Sequence, residues 1–139
     1  MMKKIQLLFL ILSLCFVTGC QKDVELEKKD YPFVYISCVE SQEGESLTIK
    51  AKVLFDDHET IIDHGFIIED RALNSSFQQK IEENYGEMQK GNNEFSITFT
   101  DGLHYHMYYS VVAFTQTASV TVYSPVELIQ SSVHYYNKD

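Results

Sequence analysis

Histidines and carboxylates at close spacing are the residues of this sequence best suited to chemistry. His104-Tyr105-His106 sets two imidazoles two residues apart, a spacing that puts both on one face of a strand. With His58 and His64 they would make a zinc-type set, provided the fold brought them all within about 2 Å of one ion. Asp56-Asp57-His58-Glu59 offers oxygens of the kind calcium takes. Calcium wants roughly six to eight of them, and Asp, Asn and Gly are also the ordinary residues of turns. Asp56, Asp57 and Glu59 therefore form a weak calcium candidate, and no metal or other cofactor is expected. The sequence has no Gly-x-Ser-x-Gly elbow, no paired-cysteine metal motif and no His-Glu-x-x-His. An enzyme is not expected.

Cys20 has a different chemistry. Lys3 and Lys4 precede the apolar run 7–17. That run is too short to span a bilayer, which takes about 20 apolar residues, but it has the length of a signal-peptide core. Val17-Thr18-Gly19-Cys20 follows. This resembles the lipobox of bacterial lipoproteins, a branched apolar residue and two small ones before cysteine. Small residues let an extended chain enter a peptidase site, and the cysteine sulfur takes the diacylglyceryl group. The resemblance implies removal of residues 1–19 and a lipid anchor on Cys20. Gln21-Lys22-Asp23-Val24-Glu25 resembles the acidic export signal of some Gram-negative surface lipoproteins, carried here by Gln21, Lys22, Asp23 and Glu25 with Val24 interrupting the acids. It implies an outer-membrane address at the cell surface; a plain solvated linker is the alternative.

Composition narrows the rest. Without its leader the chain has 120 of its 139 residues, enough for one domain. The whole chain carries a net charge of −9, and two of its lysines leave with the leader. Nucleic acid, which needs a basic footprint, is disfavoured as a partner. Cys15 leaves with the leader and Cys20 is acylated, so an intrachain disulfide is not expected. Cys38 reads as a small buried hydrophobe, with an intermolecular bridge as the sharper alternative.

These groups must be positioned by strands. Residues 20–30 read as a flexible acidic spacer, and the domain occupies 31–139. Leu47, Ile49, Ala51, Val53 and Phe55 alternate with mostly polar residues, which gives a half-buried strand over 47–55. Further strands are predicted at 32–39, 61–69, 95–100, 108–115 and 119–123. Gly65 inside one of them suggests a bulge or a close backbone approach. Phe77, Ile81, Tyr85 and Met88 recur at helical spacing. An edge strand or loop is nonetheless favoured there, because short strands with turn signals between them argue for an all-β sandwich of about seven strands.

Gly102-Leu103 followed by Tyr109-Ser110-Val111-Val112-Ala113-Phe114 resembles the corner before strand F of fibronectin type III domains, where a leucine precedes the strand's first tyrosine by six residues. Ala51-Lys52-Val53 and His64-Gly65-Phe66 look like strands B and C of such domains. The usual Pro-Gly of that corner is replaced by Tyr105 and His106, and the chain has no tryptophan. The resemblance implies an immunoglobulin-like, fibronectin type III-like antiparallel sandwich that binds or spaces rather than catalyses. The tyrosine hydroxyl would bond back to the corner backbone.

In that topology His58 and the His104/His106 pair fall at opposite poles, over 20 Å apart at about 3.3 Å per residue, so surface histidines are favoured over a zinc site. If Tyr109, Val111 and Ala113 face the core, then Tyr108, Val112 and Phe114 face outward, joined by Ile67 and Tyr123. Contiguous exposed apolar patches mark interaction sites, and aromatics also suit sugars. Cover by 77–85 or by the tail 131–136 is the favoured alternative. The expected function is a membrane-anchored binding or accessory module for a protein or glycan, its oligomeric state open. A spacer or scaffold without a soluble ligand is the competing expectation, and a hydrolase a third.

Overall fold

The computed structural model describes residues 28–71 and 79–133. Eight strands follow one another: β1 (Phe33–Gln42), β2 (Ser46–Leu54), β3 (Asp63–Asp70), β4 (Lys80–Asn84), β5 (Glu94–Phe99), β6 (Tyr108–Gln116), β7 (Thr121–Tyr123) and β8 (Glu127–Gln130). One sheet has the order β1-β2-β5. The other runs β4-β3-β6, with β7 and β8 both paired to the far side of β6. Every pairing is antiparallel. The fold is an all-β antiparallel sandwich with immunoglobulin-like strand order.

The alternation in β2 does what its period of two requires. Leu47, Ile49, Ala51 and Val53 are buried, and the residues between them are half-buried. Across the sandwich they meet Phe66 and Ile68 of β3 and Tyr109, Val111 and Ala113 of β6 in one core. Full burial of a Val, Leu, Ile or Phe side chain contributes about 1.5–3 kcal/mol, so this shared core is the main source of stability. Thr115 ties the layers at one end: its buried hydroxyl donates to the Pro32 carbonyl at 2.6 Å.

The eighth strand arises where the last strand breaks. Phe114 pairs with Tyr123 and Val111 with Glu127, so two residues of β6 oppose three between β7 and β8. This is a bulge at Ser124-Pro125-Val126, and Pro125 has no N–H for the ladder. Ser124 repairs the break. Its N–H donates to Ala113 O at 2.8 Å, and its Oγ accepts the Ala113 N–H at 3.0 Å. The helical spacing of 77–88 is overruled where described: Lys80–Asn84 forms the edge strand β4, and Gly86 (φ 73°) turns the chain after it.

The two ends of the sandwich define two poles. Lys29 lies at the first, where its carbonyl accepts the Asp56 N–H at 3.1 Å. The β2–β3 and β6–β7 connections share that pole. The second pole holds the β1–β2 turn, the β5–β6 corner and residues 131–133. There Gly44 N–H donates to Ser132 O at 2.8 Å and Ser131 N–H to Met107 O at 2.9 Å.

Candidate functional site

The outward face of the second sheet is the candidate site. Register makes Ile67 and Val112 cross-strand partners, and both are half-buried. Tyr108 and Tyr123 are each 57% exposed. Four of the five residues expected on this face are therefore present at its surface. Sequence reasoning missed two more: Val126 and Leu128, of which Leu128 is 65% exposed. Leu128 is the partner of outward-facing Ser110 on β6. Together Tyr108, Val112, Tyr123, Val126 and Leu128 make an apolar stripe along β6 to β8.

Phe114 is a correction. It was expected to face outward as a contact residue, yet it is only 6% exposed. Its cross-strand partner is Gly65, and a Cβ placed on Gly65 would lie 3.1 Å from the Phe114 ring. The missing side chain lets the ring lie down on the sheet. Tyr123 flanks it, with ring centroids 6.4 Å apart.

Beside the stripe is a groove of about 300 Å³, walled by Ile67, Val112, Tyr123 and Val126, with Glu69, Ser110 and Ser124 as its polar members. Lys80 on the β4 side stands 3.9 Å from Glu69 and 3.6 Å from Glu82. These exposed ion pairs contribute little to stability. Ser131 and Val133 are buried at the second pole, so the described part of the tail does not cover the stripe. Of the other segment expected to cover it, Lys80–Asn84 is the edge strand β4, paired to β3 on the side away from β6, while residues 77, 78 and 134–136 lie outside the described residues.

The first pole collects the acidic candidates. The Asp56 carboxylate contacts His58 Nδ1. That bond pulls the Asp56 pKa below its ordinary value and raises that of His58. Glu59 accepts the Ser119 hydroxyl at 2.6 Å, a bond that lowers its pKa. Asp57 takes a left-handed φ of 61°, a conformation Asp adopts more readily than most residues. The β2–β3 connection and residues 87–92 meet there around a recess of about 290 Å³ whose walls include Asp57, Glu59, Glu87, Lys90 and Asn92. Asp56 and Glu59 are engaged by His58 and Ser119 rather than aimed at a common point. Among the described residues no three His, Cys, Asp or Glu side chains converge as a metal-binding group.

The histidines divide as the topology requires. His58 stands at the first pole. His104 and His106 belong to the β5–β6 corner at the second, where the His106 ring lies 3.9 Å from that of Tyr105. His64 departs from the expected surface position. It is buried, its Nδ1–H donates to Gly86 O at 2.7 Å, and its ring meets Phe95 edge-on at 4.9 Å. It is a core side chain with its polar atom satisfied.

Cys38 also departs from expectation. It is half-buried, next to the register irregularity between Ile36 and Cys38. Its sulfur is in a disulfide. The other cysteines of the sequence, Cys15 and Cys20, lie outside the described residues. The lipidation position Cys20 and the export-signal residues Gln21, Lys22, Asp23 and Glu25 lie outside them as well.

Comparison with protein-family models and with curated proteins finds no match. The fold and the stripe therefore carry the functional argument.

Proposed function

We propose that the chain is an exported bacterial lipoprotein, anchored through Cys20, whose fibronectin type III-like sandwich is a non-catalytic binding or accessory module for a protein or glycan at the cell surface. One observation carries the binding half of this reading. Among the described residues, Tyr108, Val112, Tyr123, Val126 and Leu128 form a contiguous stripe without cover. Solvent-exposed apolar patches of this kind mark interaction sites. The corner geometry at Tyr109 supports the family likeness, because its hydroxyl meets the corner backbone as that family's tyrosine does. The leader, the lipobox and the acidic residues after it support the address.

With residues 1–19 removed, Cys20 is the only other cysteine of the chain, and once acylated its sulfur is a thioether that cannot bridge to Cys38. Radiolabelled palmitate incorporation, followed by the mass of the mature N-terminal peptide, tests the anchor directly. Protease shaving of intact cells, with periplasmic-marker controls, tests the surface. Loss of the domain on shaving places it outside. Cleavage only after lysis makes it periplasmic and shifts the reading to an envelope spacer or scaffold.

A further inference from the structure

We infer that β5 is an acceptor edge that takes one extended segment of another protein as an added strand, a segment with an apolar and a basic side chain two residues apart facing inward. This edge is separate from the stripe and does not depend on the lipid anchor. Among the described residues, β5 ends the three-stranded sheet, so one of its sides has no neighbouring strand. Val53 N–H donates to Asn93 O at 2.8 Å, which opens the ladder between β2 and β5. Backbone groups alternate in direction along a strand. Phe95 and Ile97 therefore bond back to β2, while Glu94, Ser96 and Thr98 turn N–H and C=O outward. Two of those outward groups are met by side chains, at long distance. Glu94 N–H donates to Asn92 Oδ1 at 3.4 Å, and Ser96 O accepts the Tyr85 hydroxyl at 3.3 Å.

Exposed edges are usually blunted by charge, proline or inward-pointing ionisable residues. β4 is blunted in this way: it carries Lys80, Glu82 and Glu83, and Glu83 lies on the inward side, opposite Phe66. β5 has one charged residue, Glu94 at its end, and that faces Lys52 at 3.9 Å. The inward side of β5 is Phe95, Ile97 and Phe99, the last two half-buried.

The layers fix what can sit there. The Phe95 ring meets Phe66 at 5.0 Å and His64 at 4.9 Å, so β5 lies over β3. β4 projects beyond it, and among the described residues no strand of the first sheet covers β4. A strand added to β5 would lie over β4, its inward side chains above Ile81 and Glu83. Ile81 is half-buried and selects an apolar side chain. Glu83 is exposed and selects a basic one. Burial first, and then the Glu83 charge, raise the pKa of the Tyr85 phenol at this edge, which places that charge beside Ser96. A second copy cannot fill the place. Beneath its own β5 lies its own β3, which would collide with β4. The occupant is a single extended segment with no layer beneath it, held by main-chain bonds to Ser96 and Thr98.

The test titrates the full-length protein with a blocked heptapeptide, Thr-Val-Thr-Lys-Thr-Val-Thr, and follows it by NMR. Saturation below about 1 mM is expected, with slowed exchange of the Ser96 and Thr98 amides. A glutamate in place of the peptide's lysine should weaken binding about two- to fivefold, and Glu83→Lys should reverse that preference. Tyr85→Phe keeps the ring and frees the Ser96 carbonyl, so binding should tighten about fivefold. A peptide N-methylated throughout, with no main-chain donor left, should not bind. No saturation, slowed exchange outside β5, or equal binding of the N-methylated peptide overturns the inference. So does self-association that slows the Ser96 and Thr98 amides as protein concentration rises. A lysine preference that survives Glu83→Lys overturns the basic side chain assigned to the partner.

Discussion

The backbone N–H of His104 donates to the phenol oxygen of Tyr109 at 2.9 Å, and this bond closes the corner between β5 and β6. The same hydroxyl donates to Gln79 Oε1 at 2.9 Å, which ties the start of β4 to that corner. The Tyr109 ring is fully buried, and burial pushes its pKa up. Tyr109→Phe would keep the ring and delete only the oxygen, leaving the His104 N–H and Gln79 without this partner. The expected cost is about 1–3 kcal/mol, the penalty of an unsatisfied buried group. It should appear as a lower urea midpoint with an unchanged slope. An unchanged midpoint would show that water replaces the phenol.

Gly65 admits no side chain. A Cβ there would sit 1.7 Å from the Glu83 carbonyl oxygen, which is backbone and cannot swing away. Gly65→Ala must therefore push β4 from β3 and lift the Phe114 ring. A loss at or above the usual overpacking range of about 1–3 kcal/mol is expected. Hydrogen exchange should show the loss first in the amides of β4. Uniform protection with a wild-type melting temperature would contradict the close approach.

Much of this architecture was readable from residue order, for local reasons. Leu47, Ile49, Ala51 and Val53 face the core because a strand alternates and polar residues separate them. Leu103 and Tyr109 marked their corner by a spacing that resembles that of fibronectin type III domains. Phe114 was misplaced because alternation assigns a side of the sheet but not what covers it. The hollow at Gly65 exists only once β3 and β6 pair. Strand β8 was missed because Glu127–Gln130 is short and follows a proline, so its identity comes from pairing with β6. With it were missed Val126 and Leu128, the latter the most exposed residue of the stripe. His64 gave no local sign of burial, since the Gly86 carbonyl that satisfies it lies 22 residues away.

Two substitutions to aspartate on the same sheet face should separate core from contact. Phe114→Asp places a charge in a buried site and removes a ring whose loss alone costs about 3–5 kcal/mol, so the domain should unfold. Leu128→Asp sits on open surface and should change stability by only about 0.5 kcal/mol. Circular dichroism melts compare them. A folded Phe114→Asp domain would return that residue to the contact surface, and an unfolded Leu128→Asp domain would make the stripe part of the core.

The contact between Asp56 and His58 should set a pH window for the β2–β3 connection. His58 is raised above its ordinary 6.5, chiefly by the bond to Asp56, and Asp56 is lowered below its ordinary 3.8, chiefly by the bond to His58. For His58 the stabilisation is full below 6.5 and is lost as pH rises through the raised value. For Asp56 it is full above 3.8 and is lost as pH falls through the lowered value. The pair therefore contributes fully between those ordinary values and fades on either side. An NMR titration of the His58 ring should give a midpoint above 6.5. In Asp56→Asn that midpoint should fall most of the way back, with Glu59 and Asp30 supplying what charge attraction remains. A midpoint that ignores the substitution would mean that Asp56 and His58 do not pair in solution, and the β2–β3 connection would then show no pH dependence of this origin.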